Sequence, residues 1–287
     1  MNERNLAMKT SISIWSWHRE IAKGAMDVPK FLAESKRLGF KAVELLASWT
    51  STPEQMKQTK KLAADSGLKI CSYGVHNNFA VTGADLDAQV AAVKTGIENA
   101  VSLGAPLVRV FGGNAQEGLA VDKALDMIVD GFRKVMKDAE DANVTLALEN
   151  HGRLSCTSQH VMKIIKGVGS PRMKATMDIG NFMIADEDPV SAARNLAKET
   201  AHVHVKDHRW EGVTADPPQV YVSIAGKKLW PEVVGKGKID FANIFKILKD
   251  AGYKGYLSLE YEGNEPEPEG IYTSAHNLFR LAEQAEQ

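Results

Sequence analysis

The chain has 287 residues, of which 44% are hydrophobic and 25% charged, and its formal net charge is −1. This composition is typical of a globular protein and excludes disorder, collagen and coiled coil as the main architecture. A strongly basic nucleic-acid binder would differ in charge, and no run of about 18 apolar residues occurs, so we expect neither nucleic-acid nor membrane partners. The two cysteines, Cys71 and Cys156, cannot build a disulfide framework, and the polar amino terminus lacks an apolar leader. We therefore expect a cytoplasmic protein.

A repeated pattern runs along the chain, in which a helical segment and usually a glycine precede a short apolar run. The eight apolar runs of strand length lie in 11–17, 38–46, 66–75, 103–113, 141–152, 168–180, 200–208 and 251–263. Helical periodicity occupies 27–38, 53–66, 85–103, 117–141, 157–167, 188–199, 240–251 and about 270–284. Strict alternation of strand and helix predicts parallel strands joined by right-handed crossovers.

Eight such units in a chain of this length predict the α/β class and a single (β/α)8 TIM barrel spanning 1–287. An open doubly wound sheet is the alternative, but the first strand is followed by SWHREIAKG and not by a glycine-rich phosphate fingerprint. The longest irregular stretch, 207–238, is expected to be a loop on the active-site face of the barrel.

Polar residues end four of the predicted strands with the same orientation. Side chains alternate along a strand, so one parity packs against the helices and the other fills the barrel. This alternation directs Glu149, Asp178, His204 and Glu260 inward, at the carboxyl-terminal mouth. A buried carboxylate is costly unless it is paired or bound to a metal. Three carboxylates and an imidazole predict a divalent cation, Mn²⁺ first, with Mg²⁺, Co²⁺ or Zn²⁺ as alternatives.

Further residues near the mouth are candidates for contact with a substrate. They are Lys206, Arg109, His76, His151, Glu44 and Trp15. For Glu44 and Arg109, an interior ion pair is an equally weighted alternative. Lys206 could instead pair with Asp207 or with a neighbouring carboxylate. His202 lies one pleat deeper than His204 and is interpreted as a hydrogen-bonded core histidine.

The motifs LGFKAVEL, LALENHG, TMDIGN, HVHVKD, GKGKIDF and GYKGYLSLEYEG follow one another in this order. In them the sequence resembles the xylose isomerase-like barrel superfamily, in particular its sugar phosphate isomerase/epimerase branch. The resemblance implies a metal held by Glu149, Asp178, His204 and Glu260, in agreement with the alternation argument. Ketose 3-epimerases of this family carry His where this chain has Asn181 and Glu where it has Ser155. The HVHVKDHR run is closer to inosose dehydratase-like members.

The expected activity is that of a metal-dependent isomerase or epimerase acting on a keto-sugar or polyol. Glu149 and Glu260 are the candidate base and acid, and the proton is removed α to a carbonyl to give a metal-bound enediolate. A lyase or dehydratase acting on an inosose or keto-glycoside shares this first step and is the alternative. An apurinic endonuclease-type phosphoesterase is less favoured, because 209–238 contains no His. A small carbohydrate is the expected partner, and a homo-oligomer is compatible with the sequence.

Overall fold

The computed structural model describes residues 8–210 and 219–286. Eight parallel strands close into a barrel in the order β1-β11-β7-β6-β5-β4-β3-β2, so the predicted fold class is confirmed. The barrel strands are β1 (Lys9–Ser13), β2 (Ala42–Leu46), β3 (Lys69–Gly74), β4 (Leu107–Val110), β5 (Thr145–Glu149), β6 (Met173–Asp178), β7 (Thr200–Val205) and β11 (Tyr256–Leu259). That one domain spans all of 1–287 stays a prediction.

Ten α-helices are described, and the eight longer ones match the segments predicted from periodicity. Their bounds are α1 (His18–Ala22), α2 (Val28–Leu38), α3 (Pro53–Asp65), α4 (Gly83–Leu103), α5 (Val121–Asp141), α6 (Ser158–Val168), α7 (Asn181–Ile184), α8 (Pro189–Leu196), α9 (Phe241–Asp250) and α10 (Glu267–Gln284). Two 3₁₀ helices, Ile14–Trp17 and Ala197–Glu199, adjoin α1 and α8. Among the described residues, no helix is both long and apolar enough to cross a membrane.

Helix ends follow the chemistry of their terminal residues. Gly39, Gly104 and Gly169 end α2, α4 and α6 in the left-handed conformation, as the repeated helix–glycine–strand pattern predicts. Asp240 caps α9 by accepting a hydrogen bond from the backbone N–H of Asn243. These ends fix where each chain segment turns back into the barrel.

Two expectations about the mouth of the barrel need correction, namely the extent of the first strand and the irregular structure of 207–238. The first strand stops at Ser13, and Ile14–Trp17 is a 3₁₀ helix because the Ser13 hydroxyl accepts the N–H of Trp15 and starts a turn. The stretch 207–238 is not simply irregular. It contains an antiparallel sheet of β8 (Asp207–Trp210), β9 (Tyr221–Val222) and β10 (Lys228–Glu232), in the order β8-β10-β9. Residues 211–218 of that stretch lie outside the described residues.

The inward alternation of the strands is confirmed by contacts across the barrel. Asp178 on β6 and Ser258 on β11 are both in register with His204 on β7. Glu44 on β2 contacts His204, although β2 and β7 are not neighbours in the barrel. That contact therefore passes through the interior. The outward parity is apolar and packs against the surrounding helices, as shown by fully buried Leu146 and Val203.

Candidate metal centre and cavity

The four predicted ligand residues meet at the mouth of the barrel. Glu149, Asp178, His204 and Glu260 each place a ligand-type atom within 4.8 Å of the others, and all four are buried. His204 Nδ1 lies 3.6 Å from Glu149 Oε2, 3.9 Å from Asp178 Oδ2 and 3.4 Å from Glu260 Oε1. One imidazole nitrogen is thus directed toward three carboxylates.

The other nitrogen of His204 is held from below by Glu44. His204 Nε2 lies 3.0 Å from Glu44 Oε1, and His202 Nε2 lies 2.9 Å from Glu44 Oε2. A carboxylate that accepts the Nε2–H fixes the tautomer in which Nδ1 carries the lone pair. The expected core position of His202 is confirmed, since it is 1% exposed against Glu44.

The donor set fits a divalent cation. His204 Nδ1 and Asp178 Oδ2 are buried and have no hydrogen-bond partner, and an oxygen-rich set with one nitrogen suits Mn²⁺ or Mg²⁺. Burial, Glu260 and Glu149 raise the pKa of Asp178 to about 8, against the lowering effect of Lys206. Burial alone would lower the pKa of His204. The negative charges of Glu260, Glu44 and Glu149 have the larger effect and raise this pKa to about 10. Both shifts reflect the crowding of carboxylates around a single imidazole.

Arg109 supports one side of the cluster. Its Nε lies 3.2 Å from Glu149 Oε2, its Nη1 donates to the Val75 carbonyl, and its guanidinium lies 4.2 Å from the centre of the Phe111 ring. A Cβ added at Gly74 would lie 2.8 Å from Arg109 Nη2, so the guanidinium is closely packed. The alternative of a Glu44–Arg109 pair is wrong, because Glu44 binds the two histidines and Arg109 pairs with Glu149.

Lys206 lies on the opposite side of the cluster. Its Nζ is 2.9 Å from Asp178 Oδ2 and 2.7 Å from Glu260 Oε2, and it donates a hydrogen bond of 3.0 Å to Glu262 Oε2. Glu262 also accepts hydrogen bonds from Trp15 Nε1 and from the Tyr221 hydroxyl. Sequence reasoning missed Glu262, although it shares the inward parity of Glu260 and is only two residues away.

A cavity of about 550 Å³ opens above the cluster. Five of the six residues expected to contact a substrate line it, namely Trp15, His76, Arg109, His151 and Lys206, together with Glu149, Glu260 and Glu262. The sixth, Glu44, is fully buried beneath His204, so the structure places it in contact with a candidate ligand and away from the cavity.

The rest of the cavity wall comes from residues that strand ends alone do not indicate. Phe111 lies between the imidazoles of His76 and His151, with ring centres 5.4 and 4.6 Å apart. Gln89, on α4, accepts a hydrogen bond from the backbone N–H of Asn78, and both line the cavity. Phe111 lies two residues after Arg109 and shares its inward orientation, so strand alternation could have identified it. Gln89 reaches the cavity from a helix, and strand alternation gives no signal for such a residue.

Two residues that depart from the epimerase pattern support Glu149. Asn181 Nδ2 lies 3.3 Å from Glu149 Oε1 and also donates to the Asn150 carbonyl. The Ser155 hydroxyl contacts the carbonyl oxygens of Glu149 and His151. Both side chains are buried. Their contacts help to fix the orientation of Glu149, the last residue of β5.

A model of the family described as xylose isomerase-like TIM barrel matches residues 32–281. The chain belongs to this family. A Mus musculus protein that carries the provisional name hydroxypyruvate isomerase is 23% identical over 263 residues, covering 85% of this chain and 87% of that protein. An inosose dehydratase of Clostridium botulinum is 27% identical over 139 residues, covering 48% and 47%. A solved structure of L-ribulose 3-epimerase superposes with a TM-score of 0.77 at 19% identity, covering 98% and 96% of the two chains.

Proposed function

We propose that this family member is a divalent-metal-dependent sugar isomerase or epimerase that moves a proton α to the carbonyl of a keto-sugar or of a polyol in its keto form, such as a keto-inositol. One observation carries the proposal. Three carboxylates and His204 converge at the floor of a cavity, and two of the carboxylates, Glu149 and Glu260, also line its wall. Asp178 and His204 are fully buried below them.

This division separates two roles. Asp178 and His204 would hold the cation from below, and Glu149 and Glu260 would hold it while presenting carboxylate oxygens to the substrate. When bound, a divalent cation supplies Lewis-acid polarisation of a carbonyl. One carboxylate removes the carbon-bound proton, and the other returns a proton to the opposite face or to the next carbon.

Positive groups at the wall complete the site. Lys206 would contact a substrate oxygen and stabilise the charge that develops on it during proton removal. Arg109 would act mainly by holding Glu149 in place, since its guanidinium already contacts Glu149, the Val75 carbonyl and Phe111.

The charge of the wall favours an uncharged substrate. Within residues 8–210 and 219–286, both cations of the cavity wall contact buried carboxylates. Burial lowers the pKa of His76 and of His151, so both imidazoles are neutral near pH 7. An anionic substrate would therefore have to displace an existing ion pair, whereas the hydroxyls of a sugar find imidazole and amide partners.

A dehydratase or other lyase is the second candidate. It shares proton removal α to a carbonyl, and the chain is similar to inosose dehydratases over about half of its length. Asn181 and Ser155 replace the His and Glu of ketose 3-epimerases, which keeps this alternative open. The choice between the two depends on whether a β-hydroxyl leaves after the proton is removed.

The test is hydrogen exchange in D₂O. Protein reconstituted with Mn²⁺ is incubated with keto-sugars, keto-inositols and hydroxypyruvate, and NMR detects deuterium entering carbon. We expect metal-dependent exchange with a neutral keto-sugar or keto-inositol, lost in Glu260→Gln and retained in the control Glu34→Gln, which changes a half-buried residue of α2 that pairs with Arg37. Loss of a β-hydroxyl alongside exchange would identify the lyase. Cleavage of abasic DNA without exchange on any of these compounds would refute the proposal.

Manganese as the metal, a cytoplasmic location and a homo-oligomeric state stay predictions from the sequence. Metal identity is tested by comparing exchange rates after reconstitution with Mn²⁺, Mg²⁺, Co²⁺ and Zn²⁺. We expect Mn²⁺ to give the highest rate, because the site has three carboxylates and a single imidazole.

A further inference from the structure

The ammonium group of Lys206 lies among the same oxygens that the candidate metal centre offers to a cation. Its Nζ is 2.9 Å from Asp178 Oδ2 and 2.7 Å from Glu260 Oε2, and the side chain is 5% exposed. A Lys side chain is almost never buried without a partner. In the metal-free protein, Lys206 thus supplies positive charge to carboxylates that would otherwise repel one another.

The contacts of Lys206 are not equivalent. The contact with Glu262 is a hydrogen bond, whereas Asp178 Oδ2 accepts none despite its short distance to the ammonium. Glu262 is not one of the four clustered ligand residues. It accepts two further hydrogen bonds, from Trp15 Nε1 at 2.7 Å and from the Tyr221 hydroxyl at 3.1 Å. The partner with the best directed contact is therefore fixed outside the metal centre.

We propose that Lys206 is an internal cation that competes with the metal for Asp178 and Glu260, and that Glu262 holds the ammonium when the metal enters. The inference rests on the metal centre of the proposed function. A divalent cation and an ammonium a few ångströms apart repel each other, so both cannot keep their full contact with the same two carboxylates. Movement of the Lys206 ammonium toward Glu262 relieves that repulsion, and the ammonium stays at the cavity wall.

This role is tested by whether Lys206→Met strengthens or weakens the binding of Mn²⁺. If Lys206 competes with the metal, Lys206→Met removes the competitor, and the variant should bind Mn²⁺ at least about tenfold more tightly than the unmodified protein. If Lys206 instead positions Asp178 and Glu260 as ligands, the same change weakens Mn²⁺ binding. Affinities are measured on chelator-treated protein by titration calorimetry or by competition with a chelating dye.

A matched control separates this effect from general loss of charge. Lys227 is an exposed lysine that pairs with Asp186 outside the cavity, and Lys227→Met should leave Mn²⁺ affinity within about twofold of the unmodified protein. The thermal midpoint of the metal-free protein gives a second readout. It should fall more in Lys206→Met than in Lys227→Met, because only the first leaves buried carboxylates without a cation.

The role of Glu262 is tested by a double-mutant cycle. Glu262→Gln should weaken Mn²⁺ binding about tenfold while Lys206 is present, because the displaced ammonium loses its acceptor. In the Lys206→Met background the same change should have a much smaller effect. Glu262→Gln alone keeps Lys206, so it provides the test if Lys206→Met does not fold.

Three results would overturn the inference. They are weaker Mn²⁺ binding in Lys206→Met, unchanged binding in Lys206→Met, or equal effects of Glu262→Gln in both backgrounds. Absence of stoichiometric Mn²⁺ binding by the unmodified protein would overturn both the inference and the metal centre of the proposed function. Tight binding by the unmodified protein with weaker binding by Lys206→Met would overturn the inference alone.

Discussion

The two cationic sides of the candidate metal centre are built differently. On one side, Arg109 contacts Glu149, a backbone carbonyl and the face of Phe111, and its neighbour Gly74 leaves no room for a Cβ. On the other side, Lys206 contacts three carboxylates but makes a hydrogen bond to Glu262 alone among them. A planar guanidinium held at several points is rigid, whereas an ammonium on a flexible stem can exchange partners. The site therefore has a fixed side and an adjustable side.

The largest effect is expected from removing two of the four candidate metal ligands, Glu149 and His204. Glu149→Gln combined with His204→Ala should abolish stoichiometric metal binding, since an oxygen anion and the single nitrogen ligand are lost together. Metal analysis after reconstitution with Mn²⁺ measures this. His160→Ala, on α6 outside the barrel interior, is the control and should bind one metal per chain. Full stoichiometry at unchanged affinity in the double variant would place the site elsewhere.

On the rigid side, Arg109→Met should destabilise the protein by about 3–5 kcal/mol, because removing one partner of a buried ion pair leaves Glu149 without compensation. The free energy of unfolding in urea is the measurement. Arg133→Met removes an exposed pair with Asp130 and should change stability by less than about 1 kcal/mol. A loss in Arg109→Met no larger than in this control would show that the guanidinium is not a structural clamp.

Beneath both sides, Glu44→Gln should weaken Mn²⁺ affinity about 10–100-fold, because the imidazole of His204 loses the anion that fixes its tautomer. Nitrogen NMR of the metal-free proteins should show a lower pKa of His204 in the variant, because Glu44 is one of the carboxylates that raise it. Glu34→Gln, on α2, is the matched control. Unchanged affinity together with an unchanged pKa of His204 would reduce Glu44 to a packing residue.

On the adjustable side, Lys206→Met should lower kcat/KM by more than about tenfold, at least about 1.4 kcal/mol, while the protein still binds one metal per chain. The cause is loss of a positive group near the substrate oxygen. Kinetics are measured with the substrate identified by deuterium exchange, and Lys227→Met should match the unmodified enzyme. Equal kcat/KM in the two variants would show that Lys206 acts only in the metal-free protein and not on the substrate.

Most of the fold and the clustering of the four candidate ligands could be predicted because they depend on short-range rules. Helical periodicity and glycine caps located the eight longer helices. Strand alternation directed Glu149, Asp178, His204 and Glu260 inward, and the closed barrel brought them together. The prediction failed at Ile14–Trp17, where the Ser13 hydroxyl accepts the backbone N–H of Trp15 and an apolar run becomes a 3₁₀ helix.

The sequence by itself determined the barrel, the inward parity and the identity of the four clustered side chains, because these follow from local spacing repeated eight times. The tertiary structure decided which charges pair. Glu44 meets His202 and His204 and not Arg109, and Lys206 meets Glu262. Such pairs join residues up to 160 positions apart, as in Glu44 and His204, and their energies depend on distance and burial in three dimensions. No local pattern in the chain encodes those distances.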